Sequence, residues 1–64
     1  MKRRDLLRYL RGQGCRLERE GGKHSLWINP TTGAVESVPR HVEIGNHLCR
    51  KICRQLSVRE PPGA

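Results

Sequence analysis

Residues 15–29 read Cys-Arg-Leu-Glu-Arg-Glu-Gly-Gly-Lys-His-Ser-Leu-Trp-Ile-Asn. Cys15 to Glu20 alternates, with Cys15 and Leu17 on one side and Arg16, Glu18 and Glu20 on the other, the pattern of a short strand with one wet face. Gly21-Gly22 supplies a turn, since glycine tolerates the positive φ angles of a tight hairpin. Lys23 to Asn29 then returns as a second strand built on Leu26, Trp27 and Ile28. Strict alternation puts His24 on the face of Leu26 and Ile28, the face expected to be buried, with Trp27 opposite. His24 then reaches solvent only at the sheet margin or through a bulge after the glycines.

Outward from this hairpin, Asn29-Pro-Thr-Thr-Gly33 is strong turn chemistry, and Ala34 to Val38 predicts a third strand ending before Pro39. On the amino-terminal side, Lys2 to Arg11 places Leu6, Leu7 and Leu10 at helical spacing, with Gly12 and Gly14 as the stop. Past an irregular connection, Asn46 is the expected N-cap of a second helix whose Leu48, Cys49, Ile52, Cys53 and Leu56 form one apolar stripe. The expected architecture is α+β in the order α-β-β-β-α: a three-stranded antiparallel sheet with both helices on one face and the other face open. One domain over residues 1–58 accommodates all of it, followed by a tail at 59–64 whose prolines predict disorder.

The chain has 64 residues, 34% of them hydrophobic, with no Phe, so its core is thin. Thirteen Lys and Arg against six Asp and Glu give a formal charge of +7, which makes a polyanion the natural partner and nucleic acid the first choice. The basic residues are scattered rather than gathered on one aromatic-rich amphipathic helix, which argues against membrane binding. Neither a membrane-spanning run nor a signal-peptide pattern is seen, so a cytoplasmic location is expected. An odd set of cysteines (Cys15, Cys49, Cys53) then reads as reduced thiols. Cys49 and Cys53 lie four apart on the apolar stripe, a spacing that suits packing better than a zinc knuckle, and no cofactor or metal is expected.

Three imidazoles are available for chemistry, and His24 leads because it follows the diglycine turn at the start of a strand. Metal-independent RNA cleavage needs a base for the ribose 2′-hydroxyl proton and an acid for the leaving oxygen, and imidazole serves either role. His41 is the candidate partner acid, and His47 sits in the first turn of the last helix. Lys2, Arg3, Arg4, Lys23, Arg40, Lys51 and Arg54, at element ends or on the outer helix face, are the cations expected to meet phosphate. Trp27 has two readings, stacking on a base or filling an interface.

The run Gly21-Gly22-Lys23-His24-Ser25-Leu26-Trp27, the step Val38-Pro39-Arg40-His41 and the helix Cys49-Arg50-Lys51-Ile52-Cys53-Arg54 together resemble the HicA family over about Lys2 to Val58. The resemblance implies a double-stranded-RNA-binding-domain-like fold, messenger-RNA interferase activity and inhibition by a HicB antitoxin. The family's catalytic histidine follows a glycine by one residue and maps onto His24; the intervening position, commonly Ser, is Lys23 here. Two other functions fit the residues: a non-catalytic RNA-binding module, and a protein whose only role is to bind a partner chain.

Overall fold

In a computed structural model that describes residues 1–62, the chain runs α1 (Arg3–Gly12), β1 (Arg16–Glu20), β2 (His24–Asn29), β3 (Ala34–Pro39) and α2 (Asn46–Gln55). The strands form one antiparallel sheet in the order β1-β2-β3, so β2 is central and two edges stay open. The expected α-β-β-β-α order is the observed one.

Both helices cover the same face of the sheet. Leu6 and Leu10 of α1 and Cys49, Ile52 and Cys53 of α2 meet Trp27 of β2 and Val38 of β3 in a single core, which Cys15, Ile44 and Leu56 complete. That burial corrects the expected strand faces. Along β2 it is Ser25, Trp27 and Asn29 that are buried, while Leu26 and Ile28 are only half-buried and look out from the open face. The two polar residues tolerate the interior because their hydrogen bonds are made. The Ser25 hydroxyl accepts from Arg3 and donates to Glu20, and the Asn29 amide donates to the Leu56 carbonyl at 2.8 Å while its oxygen accepts from Thr31. Trp27, 1% exposed, is therefore a core residue with the Arg11 guanidinium 5.1 Å from its ring centroid, and it offers no face to a base or an interface.

A second departure lies in β1. Its register against β2 slips between Leu17 and Arg19, so Glu18 bulges and strict alternation fails. Leu17 still pairs with Trp27, but Arg19 pairs with Leu26 on the open face and Glu20 with Ser25 on the helix side. Without the bulge, Glu20 would share the wet face with Arg16, as the alternation predicted.

The helix ends show why the chain turns where it does. Gly14, at φ 93°, lets the Gly14 amide reach the Arg11 carbonyl and the Cys15 amide the Leu10 carbonyl, the paired bonds of a Schellman cap. The end of α2 repeats the pattern through Arg54 and Cys53, but the left-handed residue is Ser57 at φ 59°. At its start, α2 has Gly45 rather than Asn46 as N-cap, with no side-chain cap bond; Asn46 is already helical. The connection before it is pinned to the amino-terminal segment by backbone bonds from Arg3 to Val42 and from Ile44 to Met1, which explains how Ile44 becomes core. In the tail, the Tyr9 hydroxyl donates to the Arg59 carbonyl at 2.7 Å and Pro61 is buried. The expectation of disorder at 63–64 lies outside the described residues.

Candidate active site at the first hairpin

The Gly21-Gly22-Lys23 connection joins β1 to β2 and delivers His24 as the first residue of β2, exposed and on the open face with Leu26. The objection from strand parity disappears: once the helices cover the Trp27 side, His24 points to solvent with no bulge after the glycines. Neither Gly21 nor Gly22 adopts the left-handed backbone expected of them. Gly21 instead serves close approach, since its amide donates to the His24 carbonyl at 2.8 Å and an added Cβ would lie 3.1 Å from that oxygen.

Beside His24 the open face carries a cleft of about 220 Å³ lined by Arg19, Gly21, Gly22, Lys23, His24, Leu26 and Ser37. Two cations, an imidazole and a hydroxyl thus surround one concavity, a composition suited to a phosphodiester. Arg19 and Ser37 belong to this set although the alternation gave no sign of them: Arg19 arrives through the Glu18 bulge, and Ser37 because it pairs with Leu26.

The back of the hairpin is held by a chain of charged hydrogen bonds. Arg3 donates from Nε to the Pro39 carbonyl and from Nη2 to the Ser25 hydroxyl, both at 2.8 Å. Ser25 donates to Glu20 Oε1 at 2.7 Å, and Arg40 Nη2 reaches the same oxygen at 2.6 Å. Arg40 also donates to the carbonyls of Gly21 and Gly22. The Arg40 guanidinium, and next the Ser25 hydroxyl, hold the Glu20 carboxyl below the usual carboxylate range.

The cations expected to meet phosphate fall into distinct groups. Lys23 lies in the His24 cleft. Lys2, Arg3, Arg4 and Arg40 line a neighbouring concavity of about 310 Å³ with Val42. Within it Arg4 is largely exposed, whereas the guanidinium groups of Arg3 and Arg40 are engaged as described. Lys51 and Arg54 are exposed on α2, the layer behind the sheet, and do not line the His24 cleft; Lys51 Nζ lies 3.9 Å from Glu36. His41 is exposed two residues past Pro39, the residue paired with His24, while His47 is exposed in the first turn of α2.

All three cysteines are buried free thiols, and desolvation raises them, Cys53 to about 11. They act as small apolar core groups. No group of three or more His, Cys, Asp or Glu is placed to hold a metal ion among the described residues, and no described helix is long and apolar enough to cross a membrane.

Comparison with known proteins found no match among curated proteins and none among solved structures. The model of one family, described as the HicA toxin of bacterial toxin-antitoxin systems, matches residues 3–58 and so covers the hairpin, the His24 cleft and both helices. The chain belongs to the HicA toxin family.

Proposed function

We propose that this toxin is a metal-independent endoribonuclease, an mRNA interferase with His24 as general base. The observation that carries the reading is the exposed imidazole at the rim of the open sheet face, in one cleft with Arg19 and Lys23. His24 takes the 2′-hydroxyl proton, the 2′-oxygen attacks the adjacent phosphorus, and the bond to the 5′-oxygen breaks. A 2′,3′-cyclic phosphate and a 5′-hydroxyl result, the leaving oxygen receiving its proton from a general acid for which His41 is the candidate. Arg19 and Lys23 stabilise the charge gathering on the phosphoryl oxygens. Lys2 and Arg4 hold flanking phosphates, and Lys51 and Arg54 extend the positive field to the far side of the molecule.

The family pairs such a toxin with an antitoxin, and a HicB-like protein is the partner we assign. An acidic surface laid over the open face would cover His24 and use the +7 charge for fast capture. In this reading the protein acts in the cytoplasm on messenger RNA and resembles a double-stranded-RNA-binding domain in layout. Induction in bacteria tests the proposal: wild type should arrest growth and His24→Ala should not. Equal arrest by both proteins at matched levels contradicts it. Failure of wild-type protein to cut RNA, with salt-dependent RNA binding retained after His24→Ala, favours a non-catalytic RNA-binding module instead.

A further inference from the structure

Arg40 follows β3 directly, and its guanidinium folds back across the turn that presents His24. Nη1 donates to the Gly22 carbonyl at 2.7 Å, Nη2 to the Gly21 carbonyl and to Glu20 Oε1, and Nη2 lies 3.4 Å from the His24 carbonyl. One side chain therefore ties residues 20, 21, 22 and 24 to the end of the opposite edge strand. A diglycine turn has more backbone freedom to lose than any other pair of residues, so it needs such a tie if the residue after it is to hold one position. Glu20 is itself fixed by Ser25, and Ser25 by Arg3, whose Nε reaches the Pro39 carbonyl. The network thus closes on Pro39, the register partner of His24.

We propose that Arg40 is a positioning residue for His24 rather than a phosphate ligand: its fork of donors locks the Gly21 and Gly22 carbonyls, and the Glu20 carboxylate neutralises its charge from within. The proposal rests on reading His24 as the general base. Planar, multidentate donation is a property of guanidinium that a lysine ammonium cannot reproduce. The opposing role, a phosphate contact from the concavity shared with Lys2 and Arg4, needs a free cation at this position. The 2.6 Å contact to Glu20 removes it.

Two variants separate the roles. Arg40→Lys keeps the charge and loses the fork; Glu20→Gln keeps an acceptor oxygen but removes the negative charge that holds and neutralises Arg40. Positioning predicts that both lower kcat by about tenfold to a hundredfold with KM little changed, because a displaced base costs rate and not binding. A phosphate role predicts the reverse, with Arg40→Lys close to wild type and Glu20→Gln binding RNA more tightly. Binding is read with a short fluorescein-labelled single-stranded RNA in the uncleavable His24→Ala background. There Arg40→Gln should leave the salt slope unchanged; a loss of about one unit would mark a lost phosphate contact and overturn the proposal.

A readout independent of catalysis keeps the two readings distinguishable. The Gly21 amide, bonded to the His24 carbonyl, should exchange with deuterium about tenfold to a hundredfold faster in Arg40→Gln and in Glu20→Gln, the equivalent of one charged hydrogen bond. The amide of Cys53, a buried residue past the first turn of α2, is the control for global opening and should be unchanged, which excludes simple unfolding. If wild type fails to cut RNA, the general-base reading fails while the exchange experiment still judges the clamp. Unchanged Gly21 protection in both variants overturns it.

Discussion

Replacing Trp27 by Ala tests the inverted strand faces on which the exposure of His24 depends. Trp27 is 1% exposed, so truncation removes nearly the whole indole from the core and leaves a cavity, at a cost of about 3–5 kcal/mol for a residue of this size. The contact with Arg11 is lost as well. Against this, Trp27 Nε1 is buried with no acceptor among the described residues, and deleting an orphaned donor returns about 1–3 kcal/mol. With about 0.5–1 kcal/mol for the lost Arg11 contact, the terms centre on a net loss of about 3 kcal/mol. A domain this small has only about 3–10 kcal/mol in total, so Tm should fall by roughly 12–24 °C. Ile28→Ala, on the half-buried open face, should cost less than about 1.5 kcal/mol. Urea denaturation followed by circular dichroism, in the His24→Ala background so that the proteins can be produced, measures both. Equal losses for the two variants, or a larger loss for Ile28→Ala, would mean that the helices cover the Leu26–Ile28 face, and the solvent-facing His24 would be refuted.

Other features yield expected outcomes of their own. Ser57 is a non-glycine residue in the left-handed region of a Schellman cap, so Ser57→Gly should raise stability by about 0.5–1 kcal/mol in thermal denaturation; a loss would show that the cap is not formed. Glu20 is held below the ordinary carboxylate range, so its contribution is complete above that range and is lost as pH falls through its folded value. Acid titration of Gly21 amide exchange should show protection collapsing at low pH in wild type and flat in Glu20→Gln. The thiol of Cys53 is pushed up to about 11 by burial, which favours its neutral form. Its contribution to stability is full below the ordinary value of 9.0 and is lost as pH rises through about 11, and iodoacetamide should label it at neutral pH only after denaturant is added.

Much of this was legible in the residues, and the rest failed for identifiable reasons. The α2 stripe of Cys49, Ile52 and Cys53 emerged as core because five apolar residues at helical spacing leave no competing face. The diglycine step marked His24 because a turn residue and a strand start are local features. The faces of β2 were not legible. Hydropathy favours burying Leu26 and Ile28, and it is outweighed by partners outside the strand: Arg3 and, across the hairpin, Glu20 for Ser25, and Leu56 for Asn29. Arg19 was hidden for a different reason, since a one-residue bulge at Glu18 reverses every later side chain in the strand and alternation carries no trace of it. Arg40 looked like one more surface cation; only the tertiary fold shows four backbone and carboxylate groups gathered around it.

The electrostatics of the molecule join these pieces. The helices occupy one face with apolar side chains, which leaves the open face to Arg16, Arg19, His24 and Ser37 around the exposed flanks of Leu26, Ile28 and Val35. If the proposed nuclease site lies on this uncovered sheet, it would be accessible to RNA and equally to an inhibitor, and one surface would serve both substrate and restraint. Binding of an antitoxin to that surface would also stabilise a thin core by mass action.

The most direct measurement is cleavage of a defined single-stranded RNA by purified wild-type and His24→Ala proteins in the presence of a chelator. The general-base assignment predicts cutting by wild type that leaves a 2′,3′-cyclic phosphate, reduced about 10²–10⁴-fold in His24→Ala at unchanged RNA affinity. Equal rates for the two proteins, or intact RNA at every wild-type concentration, would contradict it.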